Sequence, residues 1–234
     1  MNTRTLMRTL FACAILQYGT LLAQETSDGA SPEPKVVNSG FQLFGGLGVP
    51  LGEFAESDNG AANPGFALAA QYTISPEGGG EFFRNAGFAL SASYTNNGTD
   101  FGALSGLGLD IEAGSYSNIW ALGGLKATLP ASEAVSIDLA LLLGAVFSSS
   151  PEVTATGSGV SISVSSATAT AFAISIAGDV VLNKHFTLGL RYYDAKPKYS
   201  ITIEGSGPGL PPMSLTEEVE QSTSIFVTCV GYMF

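Results

Sequence analysis

After residue 38 the chain alternates large apolar residues with small or polar ones at a period of two, the mark of strands with two unlike faces. In 41–51, Phe41, Leu43, Leu47, Val49 and Leu51 share one face, while Gln42, Gly46 and Gly48 share the other. In 65–75, Phe66, Leu68, Ala70, Tyr72 and Ile74 oppose Ala67, Ala69, Gln71 and Thr73. In 86–96, Phe88, Leu90, Ala92 and Tyr94 oppose Ala89, Ser91, Ser93 and Thr95. Strands follow at 116–129, 135–148, 167–182, 186–194 and 222–234. Within them Ile137, Leu139 and Leu141 stand against Ser136, Asp138 and Ala140. Phe172, Ile174 and Ile176 stand against Ala173, Ser175 and Ala177, and Phe186, Leu188 and Leu190 against Gly189 and Arg191. The pattern predicts an all-β fold of eight strands, an antiparallel up-and-down barrel with both chain ends on one side.

The breaks between strands sort by length. Those after the first, third, fifth and seventh strands are long. Those after the fourth (130–134) and sixth (Asn183-Lys184-His185) are short, and the one after the second, carrying Gly78-Gly79-Gly80, is intermediate. The first long break has Asp58-Asn59-Gly60 as its turn. Alternation resumes inside two others, at 153–156 and 160–164 around Gly157-Ser158-Gly159, and at 199–204 before a Gly/Pro-rich stretch. Two hairpins are expected to project there and offer strand edges to a partner.

Composition decides what kind of barrel this is. Only 12% of residues are charged, against about 25% in an ordinary soluble domain, and the mean hydropathy is +0.29. Yet after residue 23 no apolar run approaches the ~20 residues of a membrane helix. Were the large apolar face inward, as in a soluble barrel, the opposite face would meet water and should be roughly 25–35% charged. That face is instead mostly Gly, Ala, Ser and Thr, with Lys126, Asp138, Asp179 and Arg191 as its few charges. Small residues suit the narrow interior of an eight-stranded barrel, so the large residues are expected to meet lipid. Lys126 and Asp138 lie almost symmetrically about the turn at 130–134, and Asp179 and Arg191 about that at 183–185. All four are therefore expected to form one interior charge network of zero net charge, with a structural role.

Residues 1–23 carry Arg4 and Arg8, then an apolar segment ending at Ala23, with no acidic residue. This is the pattern of a Sec signal peptide cleaved between Ala23 and Gln24. It leaves a polar lead-in at 24–37 and a barrel domain at 38–234. Losing the two arginines takes the net charge from −11 to −13. Cys13 goes with the leader, so Cys229 has no disulfide partner.

Three stretches carry a resemblance: Gly45-Gly46-Leu47-Gly48-Val49-Pro50-Leu51-Gly52-Glu53-Phe54, Leu188-Gly189-Leu190-Arg191-Tyr192-Tyr193, and the terminal Tyr232-Met233-Phe234. With them, 38–234 resembles the small eight-stranded outer-membrane β-barrel proteins of the OmpA/OmpX type. The resemblance implies residence in a Gram-negative type outer membrane, as a monomer among lipid and lipopolysaccharide. It also implies a terminal strand read by the barrel-assembly machinery through Phe226, Val230, Tyr232 and Phe234. It covers the barrel alone, and no cell-wall-binding domain is expected after Phe234.

Catalytic chemistry finds little support. The single histidine, His185, falls in a short turn, whereas the outer-membrane enzymes built on similar barrels work from the opposite rim. A Ser/His/Asp device also needs a base within about 3 Å of its nucleophile. No enzymatic activity, cofactor or metal is expected, since the acidic residues match no calcium-loop spacing. Most of the negative charge falls in the long connections, which disfavours nucleic acid. The expected role is structural or one of surface interaction through those connections. The alternatives are a narrow pore for small solutes and a secreted, lipocalin-like barrel holding an apolar ligand.

Overall fold

The computed structural model describes residues 39–57, 59–75, 85–101 and 109–234. The signal peptide with its Ala23/Gln24 junction, the lead-in, Asp58 and the triple glycine at 78–80 lie outside the described residues.

Eight strands close into one antiparallel barrel: β1 (Gly40–Leu51), β2 (Ala62–Ile74), β3 (Ala86–Thr99), β5 (Tyr116–Pro130), β6 (Val135–Ser149), β9 (Thr168–Leu182), β10 (Phe186–Ala195) and β13 (Thr223–Met233). Their order around the barrel is β1-β13-β10-β9-β6-β5-β3-β2, so each strand pairs with its predecessor and the last returns to the first. The closing seam runs from Gln42↔Met233 to Leu51↔Ser224 without a break. These are the eight strands of the alternation, with ends shifted by a few residues. β2 begins at Ala62 rather than Gly65, across an irregularity between those two residues.

Alternation is obeyed on both faces. Leu43, Leu47, Leu68, Leu90, Leu125, Leu139, Leu141, Leu188, Leu190 and Val230 all point outward, and all are exposed. Aromatic residues flank this belt. At the end with the short turns, Tyr232 packs edge-on against Phe186 (5.5 Å) and Phe234 (5.1 Å), and Phe234 lies 6.1 Å from Phe41. Toward the other end stand Phe66, 5.7 Å from Tyr94, then Phe147 and Phe172. Along β13 these two rows are Tyr232 and Phe226, separated by about 20 Å of strand.

The interior is packed along its length. Trp120 and Tyr193 meet at 5.0 Å in the loop-side half of the barrel, with Leu142, Val146 and Ile225 buried beside them. At the loop end a short 3₁₀ turn, Gly52–Phe54, tucks Phe54 into the mouth, edge-on to Tyr116 at 4.9 Å. Gly60 permits this. A Cβ there would sit 2.3 Å from the Phe54 carbonyl oxygen.

The long connections hold five more strands: β4 (Asp110–Ala113), β7 (Val153–Gly157), β8 (Val160–Val164), β11 (Lys198–Gly207) and β12 (Leu210–Glu220). They form one second sheet, ordered β12-β11-β8-β7-β4. The expected hairpins at 153–164 and 199–212 are present, turning at Ser158-Gly159 and at Pro208-Gly209, with positive φ at Ser158, Gly159 and Gly209. The sequence pattern suggested two separate hairpins. The structure joins them through β8 and β11, Ile203 opposite Val164, and adds β4, whose four residues are too few for periodicity to register.

The seam gives a test. A Cβ on Gly46 would lie 2.1 Å from the Thr228 carbonyl oxygen and 2.8 Å from the Cys229 Cα, both backbone atoms of β13. Gly46→Val is expected to cost about 3 kcal/mol in urea unfolding of the refolded protein. Gly205→Val in β11, where a Cβ meets nothing within 4 Å, is expected to change the midpoint little.

Candidate functional site

Two places gather polar chemistry: a belt of charged and amide side chains inside the barrel, and the second sheet beyond its loop end.

The belt starts from register. Lys126 is opposite Ala140, and Thr128 is opposite Asp138. Lys126 and Asp138 are thus diagonal neighbours rather than direct partners, and the lysine's long stem spans the offset to bring Nζ to 2.7 Å from Oδ2. On the next strand pair Arg191 faces Ala177 and Asp179 faces Gly189, again a diagonal, with Arg191 Nη2 3.0 Å from Asp179 Oδ2. Asp138 and Asp179 are themselves direct cross-strand partners. The order around the wall is therefore cation, carboxylate, carboxylate, cation. Like charges placed opposite one another are unfavourable, and here each carboxylate has a cation on its other side.

Three residues on the facing wall close the circle. Lys126 Nζ donates to Gln42 Oε1 (3.2 Å) and Thr73 Oγ1 (3.4 Å), Gln71 Nε2 donates to Gln42 Oε1 (3.3 Å), and Arg191 Nη1 donates to Gln71 Oε1 (3.2 Å). Thr128 Oγ1 donates to Asp138 Oδ1 at 2.7 Å. Arg191 also lies over the Phe44 ring, its Cζ 3.8 Å from the centroid, an attractive cation–π geometry. All four charged side chains are at most 3% exposed.

Sequence reasoning missed these supporting partners. Gln42 and Gln71 were visible as the only amides on the small-residue faces of their strands. A buried amide implies a hydrogen-bonding partner, and that was the available signal. Phe44 gave none, because it breaks the rule of small residues inside.

The remaining sequence candidates fall as follows. Phe226, Val230, Tyr232 and Phe234 share the outer face of β13, with Phe226 half-buried and the other three exposed. Cys229 is buried on the inner face. His185 stacks on Tyr232 (5.5 Å between rings, 10° between planes), its Nδ1 3.0 Å from the Met233 carbonyl oxygen. It clasps the terminal strand at the turn end. Among the described residues no three His, Cys, Asp or Glu side chains converge to hold a metal ion.

The second sheet is amphipathic in all five strands. Cross-strand partners share a face, and the registers put Leu215, Ile203, Val164 and Val153 in one row. The adjacent row contains Met213, Gly205, Ile162, Ala155 and Ile111. The opposite face carries Ser and Thr with Glu204, Glu218, Glu220, Asp110 and Glu112, and Lys198 bridges Glu220 at 3.3 Å. At the root of the sheet Tyr199 turns inward to share a hydrogen bond with Ser148, which donates in turn to Asn118 Oδ1. Burial pushes the Tyr199 hydroxyl above its ordinary value. Tyr199 stays neutral at physiological pH and ties the sheet to the barrel mouth as a hydroxyl.

Breaking the belt is expected to be costly. Asp138→Ala leaves Lys126 buried with only Gln42 and Thr73, which should cost about 3–5 kcal/mol. Lys126→Met with Asp138→Leu removes both charges and should recover most of that loss. Urea unfolding followed by emission of Trp120, the single tryptophan, checks both. An unchanged midpoint for Asp138→Ala would remove the belt from the stability of the fold.

No family model matches the chain, and no curated protein matches it. Solved structures do. A major outer membrane protein from Thermus thermophilus aligns with 84% of this chain and 99% of its own, at 10% identity and a TM-score of 0.51. OprG from Pseudomonas aeruginosa aligns with 86% of this chain and 99% of its own, at 15% identity and 0.49. Ail, the attachment invasion locus protein of Yersinia pestis, aligns with 84% and 99%, at 17% identity and 0.45. At these identities the likeness is one of fold. The chain has the fold of the small eight-stranded outer-membrane β-barrels.

Proposed function

We propose that this protein is a monomeric, non-catalytic outer-membrane barrel that presents its second sheet at the cell surface as an interaction platform. One observation carries the reading: a closed barrel wears its large apolar residues outside, between two aromatic rows, and its charges inside. Water would penalise that outer belt, and a continuous exposed apolar surface of this extent is not kept by a soluble monomer. A bilayer rewards it, with aromatic side chains at the two interfaces. A soluble lipocalin-like barrel would need the opposite arrangement. A solute pore would need an open interior, whereas Trp120, Tyr193 and Leu142 fill this one.

Orientation follows from loop length. Short turns face the periplasm in barrels of this kind and long connections face outward, so the second sheet stands outside the cell. Phe226, Val230, Tyr232 and Phe234 then lie along lipid, with Phe234 at the periplasmic rim, and serve as the signal for the barrel-assembly machinery. Export depends on the leader ending at Ala23. The interior belt of Lys126, Asp138, Asp179 and Arg191 is structural. It ties β5, β6, β9 and β10 to the facing wall, where lipid exposure of the same charges would cost about 2–4 kcal/mol for each cation.

Membrane fractions should retain the protein through carbonate washing, and the folded form should migrate differently from the heated form on SDS gels. Recovery in the carbonate supernatant would overturn the reading. An epitope inserted after Gly209 should be labelled by antibody on intact cells, and one inserted after Asn183 only after the outer membrane is opened. The reverse labelling would invert the topology.

A further inference from the structure

We infer that the free edge of β12 takes up an extended peptide in which apolar residues alternate with Lys or Arg, adding it as a sixth strand to the second sheet. The inference rests on the surface placement of that sheet and names the partner's chemistry.

The edge is open. β12 pairs with β11 on one side and ends the sheet on the other. From Pro211 to Glu220 every residue is exposed except Val219, which is half-buried. A strand edge presents unpaired N–H and C=O groups and templates another strand, which is why proteins protect such edges with Lys, Pro, bulges or brevity. Here Pro211, Pro212 and the irregularity opposite them, between Gly205 and Gly207, protect only the tip. From Met213 to Glu220 there is no Pro, no Lys and no bulge, and the only charges are the acidic Glu217, Glu218 and Glu220, which turn away an acidic strand but not a basic one. The sheet's other edge, β4, is protected by brevity, having four residues.

The faces of the sheet dictate the pattern of the incoming strand. Side chains of an added strand continue the rows of β12 at about 5 Å. On one face they meet Met213, 71% exposed, and Leu215, 59% exposed, and apolar side chains there would cover both. On the other face they meet Thr216 and Glu218, with Glu204 one strand behind. Glu220 is already bridged by Lys198. Glu217 lies on the apolar side beside Ile201. Cations therefore belong on the face with Glu218, while Glu217, one position along on the apolar side, adds negative charge to the same edge. The result is a strand of alternating apolar and basic residues.

Charge also selects against a second copy of this chain. An edge-to-edge pair of copies would set the acidic stretch Glu217, Glu218 and Glu220 of one β12 against the same stretch of the other. Pairing β12 with β4 of another copy would bring Asp110 and Glu112 to the same acidic stretch.

The test uses the full-length protein in nanodiscs of zwitterionic phosphatidylcholine, with the heat-shifted gel band checked in each preparation. The probe is a fluorescent, end-capped peptide of about ten alternating Lys and Val residues. Three comparison peptides are a block sequence of the same composition, an alternating Glu/Val peptide, and the Lys/Val peptide with alternate backbone nitrogens methylated. Saturable binding of the Lys/Val peptide above empty discs is expected, with the block, Glu/Val and methylated peptides weaker by at least about tenfold. Glu217→Lys with Glu218→Lys should weaken the Lys/Val peptide by a similar factor and strengthen the Glu/Val one. Hydrogen exchange should slow at 213–220 on binding. Equal binding of the block peptide, indifference to the charge reversal, or no binding above empty discs would each overturn the inference while leaving the barrel standing. Loss of the heat-shifted band in the unsubstituted protein would overturn the barrel reading and this inference with it.

Discussion

Closure of β13 onto β1 is the constraint on which the rest of the structure depends. In a hydrocarbon layer an unpaired N–H or C=O costs several kcal/mol, so a sheet that crosses one can have no edge. The seam from Gln42↔Met233 to Leu51↔Ser224 removes the last edge. It also explains Gly46, where two backbones approach too closely for a Cβ. The chain end is secured separately, since the Met233 amide donates to the His185 carbonyl and the Phe234 amide to that of Phe41.

With eight strands closed, the interior is only wide enough for side chains, and what fills it finds most of its polar partners among its own side chains. The loop-side half does so with Trp120 against Tyr193, the indole N–H donating to Thr95 Oγ1 at 3.1 Å. The turn-end half does so with charge. Lys126 and Arg191 each find a carboxylate on a neighbouring strand and an amide oxygen on the facing wall. Removing one member leaves its partner's charge in place, which is why single substitutions there should cost more than paired ones.

Much of this was legible from residue type alone, and the reason is the period. A barrel wall exposes alternate residues to different surroundings, so Phe41, Leu43 and Leu47 against Gln42, Gly46 and Gly48 already separate outside from inside. The four interior charges stood out for the same reason, as the exceptions on a face of small residues. What the sequence could not carry was distance across the lumen. Gln42 and Gln71 meet Lys126 and Arg191 from strands far away in the chain, and no local pattern encodes that. Register was blurred too. Near-symmetry about the turn at 130–134 gave Lys126 and Asp138 as close cross-strand neighbours, which they are at 2.7 Å, but not that they are diagonal, with Thr128 directly opposite Asp138. The second sheet was legible as two hairpins and illegible as one sheet, because β8 joins β11 through only four residue pairs and β4 is shorter than any period can reveal.

The two sheets also solve the same problem in opposite ways. Within the apolar belt every strand has two neighbours, and the alternation sets apolar residues outward. Beyond the loop end the same period of two persists, but the sheet has edges and both faces are differentiated, one apolar and one acidic. Nothing in barrel closure requires that extension. Loops of Gly, Ser and Asn would connect the strands at less risk of unwanted pairing. The five strands built there instead are rooted through Tyr199, Ser148 and Asn118, one edge is protected by brevity, and eight residues of the other carry neither Pro nor bulge, which is what the inferred strand addition requires. The acidic residues along that edge then act as the filter, since the hydrogen bonds of an added strand are indifferent to sequence and only the side chains can choose between partners.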